Sequence, residues 1–143
     1  FFEKIKKKEI SKLVIFDPTS PLRSMKDIRK AIKIFNKEKP DLLLSVHEGQ
    51  HNPYFSMVEK KGKYFKLCKN HEKNPGARQQ VPAVYEINTI VWIYSRKAIF
   101  LEGRRIPKKT LVFKTPMRRS IDIDTNYDMD RIYFYLNKNN KKI

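Results

Sequence analysis

The chain has 143 residues, 32 Lys and Arg against 15 Asp and Glu, a formal net charge of +17 and 40% hydrophobic residues. That apolar share excludes a disordered basic tail. At this length one domain with one core buries about 70% of the surface its unfolded chain exposes, so folding requires no disulfide or metal staple.

The single cysteine, Cys68, excludes an intrachain disulfide and fits a reducing, cytoplasmic compartment. No apolar run approaches the ~20 residues of a membrane-spanning helix. The longest, Leu42–Leu44 and Ile90–Tyr94, are strand-sized, so a soluble protein with no membrane partner is expected. The chain opens on Phe1 rather than Met, and its lysines interrupt any apolar centre in Phe1–Ser11. No signal-peptide pattern results, and the opening reads as a start in mid-domain. A strongly positive chain points first to a polyanion, because clustered Lys and Arg release counterions when they neutralise phosphates. Here the basic residues are spread over Lys6–Lys8, Lys60–Lys63, Arg104–Arg105, Lys108–Lys109, Arg118–Arg119 and Lys141–Lys142. A basic, non-catalytic nucleic-acid-binding module is therefore the alternative reading and not the leading one, which expects no nucleic acid partner.

In chain order, Lys12–Phe16 is a short β-rich run that stops at Asp17-Pro18 and reads as a buried strand ending in a loop stiffened by Pro18 and Pro21. Ser24 with Asp27 forms a capping-box pattern, and Ile28, Ala31, Ile32 and Phe35 recur at helical spacing, which predicts a helix from Met25 to about Asn36. Pro40 ends it. Asp41–Val46 reads as a second buried strand, so residues 12–46 form a strand–helix–strand unit of the kind that crosses over into a parallel sheet. Tyr54–Glu59 and Lys63–Leu67 flank Lys60-Lys61-Gly62 as a hairpin. Residues 69–82 lack periodicity and read as a long functional or mobile loop. Ile87–Tyr94 is a predicted strand, Ser95–Leu101 a short helix capped by Ser95, and Thr110–Phe113 a further strand. Thr125 with Asp128 opens a last helix whose Met129, Ile132, Tyr133 and Leu136 share one face. The alternation of strands and helices gives an α/β domain, a single one over residues 1–143, with a mostly parallel sheet flanked by helices. Ligands in such sheets sit outside the carboxyl ends of strands, which directs attention to the loops 17–23 and 120–125.

Asp122 and Asp124 stand two apart in Ser120-Ile121-Asp122-Ile123-Asp124-Thr125. In an extended segment both carboxylates point one way and both isoleucines the other. Two such carboxylates repel unless a cation lies between them, and hard oxygen ligands with positions left for water and phosphate suit Mg²⁺. The competing reading has these acids cap the next helix or pair with Arg118 and Arg119. Arg23, Arg78, Arg118 and Arg119 are each able to grip a phosphate or carboxylate bidentately, although taken singly each reads first as a surface arginine. Arg78-Gln79-Gln80, with Asn88 further on, concentrates hydrogen-bonding side chains and suggests recognition of a polar ligand. His47-Glu48-Gly49-Gln50-His51 matches the H-E-x-x-H zinc string, but strand pattern before it, Gly49 within it and Pro53 after it argue against the required helix. The four glycines build no G-x-G-x-x-G or G-K-[ST] loop, and Cys68 is expected to serve packing.

Three segments in order carry a resemblance: Asp17-Pro18-Thr19-Ser20-Pro21-Leu22-Arg23, then Arg78-Gln79-Gln80-Val81-Pro82 running to Tyr85 and Asn88, then Ser120–Thr125. They resemble the acylneuraminate cytidylyltransferases, the CMP-sialic acid synthetase family, over Leu13 to about Tyr135. Asn52-Pro53-Tyr54-Phe55 with Met57 is similar to the bacterial branch that handles sialic, legionaminic or related nonulosonic acids. The resemblance implies a partial Rossmann-like nucleotidyltransferase fold, a homodimer with a β-rich excursion near residues 95–117, and Mg²⁺-dependent transfer of a cytidylyl group from CTP to a nonulosonic acid. It assigns Asp122 and Asp124 to Mg²⁺ and catalysis, and Asp17, Ser20, Arg78, Gln79, Asn88 and Trp92 to substrate binding. Departures from the family pattern are Asp17 for Gln, Thr89 where Gly is frequent, Trp92 for a common Tyr and Glu86 where some members are basic. The added acids turn the expectation from N-acetylneuraminate toward a related sugar. The family's N-terminal half, with its CTP-binding loop, has no counterpart here, so this chain is expected to be a C-terminal portion with weak or no CTP turnover alone.

Overall fold

A computed structural model describes residues 2–71, 76–102 and 104–140, which form two compact units. The first comprises Phe1–His47 with Ile87–Ile143, and the second comprises Glu48–Glu86.

The first unit is an α/β assembly. A short helix α1 (Phe2–Lys6) precedes strand β1 (Lys12–Ile15), helix α2 (Met25–Glu38) and strand β2 (Leu42–Glu48), which runs to the border of the second unit. Strand β5 (Tyr85–Ser95) returns from that unit and is followed by a π-helical turn (Ala98–Glu102), strand β6 (Thr110–Lys114), a 3₁₀ turn (Met117–Arg119) and helix α3 (Asn126–Asn140). The sheet order is β1-β5-β2-β6, and it is mixed. β1 runs antiparallel to β5, from Lys12 opposite Ser95 to Ile15 opposite Trp92, whereas β2 and β6 are parallel, from Leu42 opposite Thr110 to Val46 opposite Lys114. The predicted strand–helix–strand unit therefore forms its three elements, but β1 and β2 are not neighbours, because β5 lies between them.

Burial explains that choice. Leu42–Val46 and Ile90–Ile93 are buried at every position, so both strands must be covered on both faces and occupy the centre of the sheet. Two core clusters result: Leu43, Ile90, Val91, Ile93 and Phe113 pack with Ala31 and Phe35 of α2, and Leu42, Leu44, Val46 and Trp92 pack together with Tyr94 beside them. β1, predicted as a buried strand, is instead an edge strand whose Leu13 and Ile15 are exposed. Among the described residues it pairs with β5 alone, and of its side chains Val14 packs on the core.

Helix α2 buries Ile28, Ala31 and Phe35, as the spacing predicts. Its cap differs from the capping box. The Ser24 hydroxyl accepts from Lys26 N at 3.1 Å, while the Asp27 carboxylate is drawn away by Arg119 at 2.6 Å. Helix α3 does form the predicted box: the Asp128 carboxylate accepts from Thr125 N at 3.0 Å and from Thr125 Oγ1 at 2.7 Å. Its predicted apolar face is only partly covered. Ile132 is buried, but Tyr133 and Leu136 are 57% and 45% exposed, because aromatic residues surround this helix rather than forming one stripe.

The second unit holds the hairpin of β3 (Val58–Lys61) and β4 (Tyr64–Leu67), shorter at its start than predicted and closed by Gly62 and Lys63. Gly62 has φ +64°, a conformation that suits a residue without Cβ. Residues 54–57 are not strand because Asn52 captures them in a turn, its carbonyl accepting from Phe55 N at 3.0 Å and from Ser56 N at 2.8 Å. Within the predicted loop 69–82, Arg78–Gln80 form a 3₁₀ turn, and residues 72–75 lie outside the described residues. No helix among the described residues is long and apolar enough to cross a membrane.

Helix α2 ends at Lys39, which takes the left-handed conformation (φ 48°, ψ 51°) while its N–H bonds Phe35 O at 2.9 Å. Because a side chain is strained there, Lys39→Gly is expected to stabilise the chain by about 0.5–1 kcal/mol in urea unfolding.

Candidate functional site

The two loops singled out by the sequence meet in the first unit. The loop after β1 is built on Asp17, whose Oδ1 accepts from Thr19 Oγ1 at 2.7 Å and from Thr19 N at 3.2 Å. Pro18 and Pro21 restrict the backbone around it, and Arg23 donates from Nε to Ser20 O at 2.9 Å while lying over the Phe16 ring. The loop after β6 reaches it through Ile123 N, which donates to Thr19 O at 3.0 Å.

Asp122 sits where these loops meet β5. Thr89 Oγ1 of β5 donates to Asp122 Oδ2 at 3.1 Å, and the buried Ser20 hydroxyl bonds Thr89 Oγ1. Residues 120–125 pair with no strand among the described residues, and the segment bends into the Thr125–Asp128 cap. Pleat geometry therefore does not set the two carboxylates on one side: Asp122 is half-buried and Asp124 is exposed. Arg119, a predicted competitor for these acids, is bound to Asp27 instead.

Among the described residues, three buried side-chain atoms lack a hydrogen-bond partner: Asp27 Oδ2, Arg119 Nε and Asp122 Oδ1. The first two belong to the Asp27–Arg119 ion pair, so Asp122 Oδ1 is the one without any partner. A buried carboxylate oxygen left in this state costs about 1–3 kcal/mol or more, and a hard cation relieves that cost. Among the described residues no three His, Cys, Asp or Glu side chains gather as a metal cluster. A cation held at Oδ1 would have one carboxylate oxygen from Asp122 and would need water or other oxygen ligands for the remainder.

Asn88 and Trp92 are placed deeper in the same unit. Asn88 Nδ2 donates to Thr115 Oγ1 at 2.9 Å and to Ser120 Oγ at 3.0 Å, and its Oδ1 accepts from Ile90 N at 3.3 Å. Both amide hydrogens are thus engaged in tying β5 to the turn before Asp122. Trp92 is 9% exposed, its indole N–H donates to Asn88 O at 3.0 Å, its ring stacks on Tyr94, and Arg105 covers it at 5.4 Å.

The second unit brings Arg78 and Gln79 together. With Glu48, Gly49, Asn52 and Val81–Val84 they line a pocket of about 300 Å³. Arg78 Nη2 donates to Gly49 O at 2.7 Å, and Gln80 Oε1 holds the approaching chain by accepting from Gly76 N and Ala77 N. A guanidinium anchored through one hydrogen still has others for a carboxylate. His47 lies on β2 and His51 in a turn, so the zinc string has no helix, as the sequence argued.

Two positions escaped the sequence reading. Thr89 was visible as a departure from the family pattern but carried no assigned role. Gly49 was read only as a helix-breaker, whereas its N–H bonds Val84 O at 3.0 Å, and a Cβ there would meet Val84 Cγ2 at 3.0 Å and Val84 O at 3.2 Å. Gly49→Ala is expected to cost about 1–3 kcal/mol in urea unfolding, because backbone at that distance does not yield cheaply. The Thr19 hydroxyl, and then its N–H, hold the Asp17 carboxyl below the usual aspartate value of 3.8. A lowered folded value means that this stabilisation is present above pH 3.8 and is lost as the pH falls through the lower folded value. Protection of the Thr19 amide against hydrogen exchange, corrected for intrinsic rate, should follow that course, and Asp17→Asn should flatten it.

Comparison with known proteins adds a second line of support. The post-translational flagellin modification protein B of Campylobacter coli is 29% identical over 128 residues, covering 90% of this chain and 54% of that protein. The CMP-N,N'-diacetyllegionaminic acid synthase of Campylobacter jejuni is 30% identical over 98 residues, covering 68% of this chain and 41% of that protein. The chain thus spans about half the length of the curated relatives it matches. No family model matches it. Taken with the three ordered motifs, these relatives support a likeness to the CMP-nonulosonic acid synthetase-like family.

Proposed function

We propose that the chain carries the cation and sugar-acid contacts of a cytidylyltransferase that activates a nonulosonic acid with CTP. The observation that carries this reading is Asp122: its Oδ2 is held by Thr89, and its Oδ1 is buried without a partner. In the proposed reaction the anomeric hydroxyl oxygen of the sugar acid bonds the α-phosphorus of CTP. The bond from that phosphorus to the bridging oxygen of the departing pyrophosphate breaks, and the hydroxyl proton passes to solvent. Asp122 and Asp124 would hold Mg²⁺, which when bound screens phosphate charge. Thr89 and Ser20 orient the Asp122 carboxylate, and Asn88 fixes the turn that presents it. In the second unit, the Arg78 guanidinium recognises the carboxylate of the sugar acid and Gln79 its hydroxyl groups. The name of the Campylobacter jejuni relative supports N,N'-diacetyllegionaminic acid as the first substrate to try.

The test has two measurements, the first on this chain and the second on a protein that joins it to the family's CTP-binding loop. Saturation-transfer NMR should detect this sugar acid on the wild-type chain and lose it, by at least about tenfold in affinity, in Arg78→Ala. Pyrophosphate release from CTP with the sugar acid and Mg²⁺ should fall by about 10²-fold or more in Asp122→Ala, with Asp124→Ala following it. Sugar binding indifferent to Arg78, or turnover indifferent to Asp122, would overturn the reading.

A further inference from the structure

Resting on the reading of Asp122 as a cation ligand, we propose that Ser20 and Thr89 form a two-hydroxyl clamp that restricts Asp122 to one-oxygen coordination and so selects Mg²⁺ over Ca²⁺. Three separated stretches of chain meet in this clamp: the loop after β1, the start of β5 and the loop after β6. A hydroxyl has one hydrogen to give. Thr89 gives its hydrogen to Asp122 Oδ2, so the hydrogen between Ser20 and Thr89 comes from Ser20, and the order of donation runs Ser20 to Thr89 to Asp122.

Each member is held from outside the chain of hydroxyls. Ser20 is buried, its N–H donates to Asp17 O at 3.3 Å, and its carbonyl accepts from Arg23. Thr89 is held by its place in β5, and its carbonyl accepts from Asp17 N at 3.4 Å. Asp122 follows Ile121, which is buried, and Ser120, whose hydroxyl is bonded by Asn88. Rotation of the carboxylate therefore breaks a bond to a hydroxyl that has nowhere to follow. The consequence is an asymmetric ligand, with Oδ2 occupied and Oδ1 without a partner.

That asymmetry discriminates between cations. Ca²⁺ takes six to eight oxygens and commonly uses both oxygens of one carboxylate, whereas Mg²⁺ demands a small octahedron and takes single oxygens. A glycine at position 89 would leave both Asp122 oxygens available. Thr89 engages one of them and so favours a single-oxygen contact through the other.

The test uses Mn²⁺ as a spectroscopic stand-in for Mg²⁺, with bound metal followed by electron paramagnetic resonance on the full chain and Ca²⁺ measured by displacement. Thr89→Val, which keeps the shape and removes the donor, is expected to weaken Mn²⁺ binding about tenfold and to lower the Mn²⁺/Ca²⁺ selectivity ratio severalfold. Thr89→Ser should restore both. Ser20→Ala, which removes support from Thr89 but leaves its donor, should shift the ratio in the same direction by less, and it serves if the valine variant does not fold. A ratio unchanged in Thr89→Val and Ser20→Ala, or a loss that Thr89→Ser fails to restore, overturns the clamp. Failure of the underlying cation reading looks different: the wild-type chain would then show no Mn²⁺ binding that Asp122→Asn removes.

Discussion

β2 and β5 must be covered on both faces, and the rest of the first unit is arranged around that demand. Leu42–Val46 and Ile90–Ile93 leave no side of either strand for water. Polar groups inside this zone have to be satisfied there, as Ser45 is by accepting from Val91 N at 3.0 Å. Those at the end of the zone, Asn88 and Thr89, look outward to the loops. The apolar packing thus fixes the strand from which the polar network grows, and the network inherits its rigidity.

From Asn88 and Thr89 the bonds spread to two different stretches of the same loop. Asn88 takes Thr115 and Ser120, and Thr89 takes Asp122. Thr115 in turn donates to Val46 O at 3.1 Å, so the segment after β6 is fastened to the central strands before it reaches the carboxylate. A surface acid would have two equivalent oxygens. The network makes those of Asp122 different, and that difference is the chemical content of the candidate site.

The charge of +17, which first raised the possibility of a polyanionic partner, is partly committed within the fold. Arg96 is gripped by Glu3 and Glu9, Arg119 by Asp27 and Arg131 by Asp128. Others cover aromatic rings, as Arg105 does on Trp92 and Arg23 on Phe16. The residues that gave the chain its basic composition thus include several whose partners are internal, which is a different use of charge from a continuous phosphate-binding stripe.

Local patterns were legible wherever a residue answers to its neighbours in sequence. The period of Ile28, Ala31 and Phe35, the Thr125–Asp128 cap, the apolar runs at 42–46 and 90–93 and the family motifs all depend on short-range spacing and side-chain chemistry. What was not legible depends on who lies beside whom. The capping role of Asp27 was lost to Arg119, 92 positions away, and β1 became an edge because β5 took the place beside β2. In 120–125 a turn and the Thr89 hydroxyl placed the Asp122 carboxylate, where the sequence offered the pleat of an extended segment. By itself the sequence determined most of the element types, most of the core and the family resemblance. The tertiary structure alone decided strand order, which arginines are spent on internal pairs and which oxygen of Asp122 is left without a partner, because each of these is a competition between groups far apart in the chain and is settled only when packing sets them at hydrogen-bonding distance.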